Sequence, residues 1–157
     1  MAPVSALLLT VAAVSAAAAQ AQAAPSGPED RAAIEQVARD YLEGWYTADA
    51  ERLGRALHPD LVKRYVGTLP GGRQVVHSVS REVMVEMTRG GGGSKSAGAQ
   101  GPVGVEILTL SDDIAAAKAT SAEYVELLSL AKCNGRWAIV NVLWRFQDGA
   151  EPRDPKR

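Results

Sequence analysis

The chain has 157 residues, with 17 basic against 18 acidic side chains, a formal net charge of −1 and an isoelectric point near 6.1. A balance this even offers no overall basic excess for nucleic acid or for an anionic membrane surface, and neither partner is expected. A single cysteine, Cys133, excludes an internal disulfide, so an apolar core must hold the fold without covalent staples.

Val4 to Ala19 is an uncharged, apolar run, followed by Ala21-Gln22-Ala23. An apolar stretch ending in a small-x-small triplet is the pattern of a cleaved export signal, so residues 1–23 are expected to be a signal peptide and the protein periplasmic or secreted. The run falls short of the roughly 20 residues that cross a bilayer, so no stable membrane insertion is expected after cleavage. Residues 24–29 then read as a short linker and helix cap.

Ser26-Gly27-Pro28-Glu29 has the form of a capping box and opens a helix. Ile34, Val37, Ala38, Tyr41, Leu42 and Trp45 recur at helical spacing as one apolar stripe, and Gly44 is expected to let the chain leave the helix. Asp49 is placed to cap a short second helix bearing Leu53, Ala56 and Leu57, which Pro59 ends.

Leu61 to Val66 and Gln74 to Val79 are β-rich runs around a Gly-Gly turn and predict a hairpin. Ser80 caps a third helix carrying Val83, Met84 and Met87. Residues 90–101, GGGGSKSAGAQG, read as a flexible loop. A phosphate-binding loop is excluded, because Ser94 rather than glycine precedes Lys95 and the element before it is a helix.

Val103 to Leu110, Ile114 to Lys132 and Arg136 to Phe146 read as strands, the middle one long enough to need a bend or bulge. Asn134-Gly135 is the strongest hairpin signal in the chain. Simple alternation sets Trp137, Ile139, Asn141 and Leu143 on one face of the last strand and Ala138, Val140, Val142, Trp144 and Phe146 on the other. Both faces are apolar, so helices are expected on one and a second copy of the chain on the other. The whole is an α+β domain over residues 30–146, with a disordered tail at 147–157.

The stretch DYLEGWYTADAERLGRALHPDL, the capped SREVMVEMTRGG helix and the terminal LAKCNGRWAIVNVLW hairpin together resemble the putative lumazine-binding family, within the nuclear transport factor two-like superfamily that also holds ketosteroid isomerases and SnoaL-like cyclases. The resemblance implies a cone-shaped fold in which a strongly curved, mainly antiparallel sheet wraps three helices around a pocket, and a homodimer formed through the outer sheet face. It also tests isomerase chemistry residue by residue. Tyr41 stands where those isomerases carry a phenol donor, but the matching first-strand stretch here is LVKRYVG, with Lys63, Arg64 and Tyr65 and no carboxylate base. No catalytic residue is therefore assigned.

Tyr41 and Trp45 lie one turn apart on the apolar stripe and would bury a hydroxyl and an indole N–H, for which Asn141 is the candidate partner. Met84 and Met87 are candidate adaptable lining, and Tyr65 and Tyr124 candidate walls. His58 and His77, with no third histidine or paired carboxylates at ligand spacing, support no metal site, and no cofactor is expected. Three functions fit these features: a binding domain for a small apolar or aromatic molecule, an enzyme acting on a cyclic ketone with Tyr41 as donor, and a dimerisation module. The first is expected.

Overall fold

The computed structural model describes residues 27–96, 99 and 101–147. The expected signal peptide, and all of the expected tail except Gln147, lie outside the described residues.

Helix α1 runs Pro28–Thr47, α2 Ala50–Ala56 and α3 Arg81–Arg89. The strands are β1 Leu57–Thr68, β2 Gln74–Ser80, β3 Gly104–Ser111, β4 Ile114–Thr120, β5 Tyr124–Cys133 and β6 Arg136–Phe146. They form one six-stranded curved sheet in the order β2-β1-β6-β5-β4-β3, antiparallel throughout except where β1 runs parallel to β6. The helices pack on its inner face around Ile34, Leu42, Leu53, Leu57, Leu128 and Ile139. This is the expected α+β architecture.

Several local expectations change. The α1 N-cap is Gly27, without a side-chain cap, and Pro28 takes the first helical position, where its missing N–H costs nothing. Gly44 does not end α1, which continues to Thr47 and closes on Ala48 at φ 59°. It is instead the point where α2 crosses: a Cβ at Gly44 would sit 2.8 Å from the Leu53 amide nitrogen. Asp49 caps α2 by accepting from the Arg52 N–H at 2.9 Å, and Ser80 caps α3, both as expected. Pro59 does not end α2. The chain turns extended at Leu57, and Pro59 lies inside β1, in the stretch where pairing with β6 slips register.

The expected long strand from Ile114 to Lys132 is two strands, broken after Thr120. The Ser121 N–H donates to the Tyr124 carbonyl and Ser121 Oγ accepts from the Tyr124 N–H, closing a tight turn without glycine or proline. Asn134 and Gly135 take φ of 52° and 77°, the paired positive values that a two-residue hairpin turn requires.

The facing expected for β6 is also corrected. Ser129 pairs with Asn141 but Leu130 pairs with Ile139, so Val140 is an extra residue, and alternation resets across it. Trp137 and Ile139 face the helices, and so do Val142, Trp144 and Phe146 beyond the bulge, while Asn141 turns to the outer face.

Candidate functional site

Three chain segments bring polar groups to one point on the inner face. Tyr41 projects from α1 with its ring fully buried. Lys63 alternates inward with Leu61 and Tyr65 on β1, and Glu126 alternates inward with Tyr124, Leu128 and Leu130 on β5. Tyr41 Oη donates to Glu126 Oε1 at 2.9 Å, and Lys63 Nζ donates to both Tyr41 Oη and Glu126 Oε1. Glu126 is 1% exposed and the Lys63 side chain 12%, so this is a buried ion pair with a phenol bridging it. Burial, and then the Glu126 charge, hold the Tyr41 hydroxyl well above the usual phenol range, and it stays protonated.

Around this trio lies a cavity of about 500 Å³. Lys63 Nζ sits 5.1 Å from the Trp144 ring centre, 5.2 Å from that of Tyr41 and 5.9 Å from that of Tyr124, boxed by aromatic faces. Trp144 is the hub of the wall, packing against Tyr65 at 5.0 Å and edge-on to Tyr124 and Phe146, each at 5.2 Å. Leu42, Trp45, Val79, Met84 and Met87 complete the lining.

Of the residues singled out from sequence, Tyr41, Trp45, Tyr65, Met84, Met87 and Tyr124 line this cavity. Asn141 does not. The Val140 bulge turns it outward, where it accepts from Arg64 Nη1, and it partners neither Tyr41 nor Trp45. Tyr41 is satisfied by Glu126 instead, while Trp45 Nε1 is buried with no hydrogen-bond partner among the described residues. His77 stacks on Tyr65, ring centres 4.8 Å apart, on the same face of the sheet, but does not line the cavity. His58 Nδ1 accepts from the Asp60 N–H near the start of β1.

Sequence reading missed Lys63, Glu126, Trp144 and Phe146 as site residues. The LVKRYVG stretch of β1 carries no carboxylate, as read, and Asp60 just before it is exposed to solvent. The carboxylate of the site comes from β5, where Tyr-x-Glu-x-Leu-x-Leu is an inward-facing series whose signal was lost while β4 and β5 were read as one strand.

The glycine-rich segment after α3 backs the site. The Gly93 N–H donates to the Trp45 carbonyl at 2.9 Å, and a Cβ at Gly93 would lie 2.5 Å from Trp45 Nε1. Only glycine permits this approach. Among the described residues no cluster of histidine, cysteine and carboxylate side chains is arranged to hold a metal ion.

Solved structures of similar fold include an NTF2-like protein of unknown function from Methylobacillus flagellatus, with a TM-score of 0.58 at 17% identity over 78% of this chain and 95% of that one. Another from Shewanella baltica has a TM-score of 0.59 at 12% identity, covering 78% and 97%. A ketosteroid isomerase-like protein from Erwinia carotovora atroseptica has a TM-score of 0.53 at 22% identity, covering 76% and 98%. At such identities the likeness is one of fold. No curated protein matches the chain. Residues 29–145 match the family model described as putative lumazine-binding. With that match over most of its length and with this curved sheet, the chain belongs to the putative lumazine-binding family and has the nuclear transport factor two-like fold.

Proposed function

We propose that the protein binds a small, flat, largely apolar or aromatic molecule in the cavity above Lys63. The observation that carries this reading is the contrast inside the cavity: aromatic and aliphatic walls surround one polar cluster. Walls of that kind bury ring surface, and a single polar spot fixes orientation. Lys63 is the group that a ligand's polar end would meet. An ammonium has three N–H donors, and Tyr41 and Glu126 account for two. A hydrogen-bond acceptor such as a carbonyl oxygen suits the third. A cationic ligand does not, since the ring box already encloses the Lys63 ammonium.

A second reading, an enzyme acting on a cyclic ketone, draws on the 2.9 Å approach of Tyr41 to Glu126. It is the weaker one. The phenol proton is engaged by the carboxylate and the carboxylate is paired with Lys63, which leaves neither poised as donor or base.

A second copy is part of the same proposal. Leu127 and Leu143 are cross-strand partners on the outer sheet face, 47% and 45% exposed, and another protomer is the simplest cover for them. Export, directed by residues 1–23, completes the reading.

A thermal-shift screen of the purified protein against flavin precursors, steroids and aromatic ketones tests the binding function. Saturable stabilisation by one class, lost in Tyr41→Phe or Trp45→Ala, supports it. Flat responses to every class would return the domain to a purely structural role.

A further inference from the structure

Four arginines from three elements line one groove of about 520 Å³: Arg55 near the end of α2, Arg81 and Arg89 at the two ends of α3, and Arg136 at the start of β6. None of the residues lining this groove lines the aromatic cavity. Among the described lining residues Glu51 alone is acidic, and Glu86 meets Arg89 from the next turn of α3. A chain of net charge −1 thus gathers a local cationic excess that its overall balance hides.

Helix capping accounts for part of this arrangement. Arg81 Nη2 donates to the Gly54 carbonyl at 2.9 Å and Arg136 Nη1 to the Arg55 carbonyl at 3.4 Å, which satisfies the last carbonyls of α2. Each of these bonds uses one of a guanidinium's five N–H groups. They also fix two cationic forks beside each other on consecutive carbonyls. A Cβ at Gly54 would sit 3.4 Å from Arg81 Nη2, in contact with it. Capping does not explain why Arg55 and Arg89 share the groove. Like charges held together in a concave site repel one another until an anion arrives, and the same concavity focuses their field on it.

We propose that this groove is a second ligand site, for the phosphoryl group of a phosphorylated molecule. Fixed guanidinium forks match the paired oxygens of a phosphoryl group and lose little freedom in meeting it.

Calorimetric titration of the full chain with inorganic pyrophosphate, at ionic strength set with chloride, tests this site. Saturable binding is expected, weakening as chloride rises and about tenfold weaker in the double variant Arg55→Gln, Arg89→Gln. Both side chains are exposed, so the variant should melt as the parent does and its lost affinity cannot be a folding defect. A second arm uses phosphatidylcholine vesicles with and without phosphatidic acid. Binding that requires phosphatidic acid, with none to pyrophosphate, assigns the phosphoryl group to a lipid headgroup. Absence of binding in both arms, or equal affinity in parent and double variant, overturns the proposal.

Discussion

Tyr41 and Glu126 stand 85 positions apart in the chain and meet at 2.9 Å, the phenol donating to the carboxylate. Lys63 completes the contact from a third segment. The polar floor of the cavity is therefore a product of three elements, and each member depends on the others for its burial.

Removing the carboxylate should be costly. Glu126→Ala leaves the Lys63 ammonium buried without its counter-charge, and a loss of about 3–5 kcal/mol is expected from urea denaturation. Replacing both charges with apolar groups, as in Lys63→Met with Glu126→Leu, should recover most of that stability. Failure of the double variant to recover would mean that the pair contributes more than mutual neutralisation.

Lys63→Met also probes recognition. For an aromatic ketone that stabilises the parent, affinity should fall by about 1.5–3 kcal/mol when the charged donor is removed. A hydrocarbon of the same shape should bind both forms alike. Titration calorimetry with the two ligands separates donor loss from a damaged cavity.

Gly93→Ala should disturb the site from behind. The new Cβ would fall 2.5 Å from Trp45 Nε1 and 2.8 Å from Tyr46 Cδ1, so the indole must move. A destabilisation of about 1–3 kcal/mol is expected, with a changed tryptophan emission spectrum. Gly135→Ala meets nothing within 4 Å but sits at φ 77°, so its effect should be confined to hairpin strain, with emission unchanged.

Acid should weaken the tie between α1 and the sheet. Asp30 accepts from Lys132 Nζ at 2.7 Å and Trp137 Nε1 at 2.8 Å, and the bond from Lys132 is the main reason its carboxyl lies below the ordinary carboxylate range. A carboxyl lowered on folding contributes stability that is complete above its unfolded pKa of about 3.9 and is lost as pH falls through the lower folded value. Denaturation midpoints of parent and Asp30→Asn should therefore differ at pH 7 and converge in acid, once pH has fallen below the lowered folded value. A constant difference across that range would place the effect elsewhere.

The outer face gives a test of assembly. Leu127→Asp, opposite Leu143, should shift the species seen by sedimentation from dimer to monomer at micromolar concentration. A parent that sediments as a monomer at all concentrations would remove the second copy from the proposal.

Much of the fold was legible because its signals are local. The α1 stripe, the Asp49 and Ser80 caps and the Asn134-Gly135 turn each lie within a few residues, and each formed where its spacing placed it. The breaks that were missed have weak local chemistry. Ser121 turns the chain between β4 and β5 through its own hydroxyl rather than through glycine or proline. Pro59 reads as a helix stop, yet the helix had already ended before Leu57.

By itself, the order of residues determined the element types, the aromatic stripe of α1 and the lack of a carboxylate in the LVKRYVG stretch of β1, because periodicity and turn chemistry act over one or two turns of chain. Tertiary structure alone decided which groups share the cavity. One extra residue at Val140 sent Asn141 outward and Trp144 inward, since a strand's facing has a period of two and a single insertion reverses it. The partner of Tyr41 likewise followed from strand pairing that brought Glu126 beneath α1, a long-range register that local pattern does not carry.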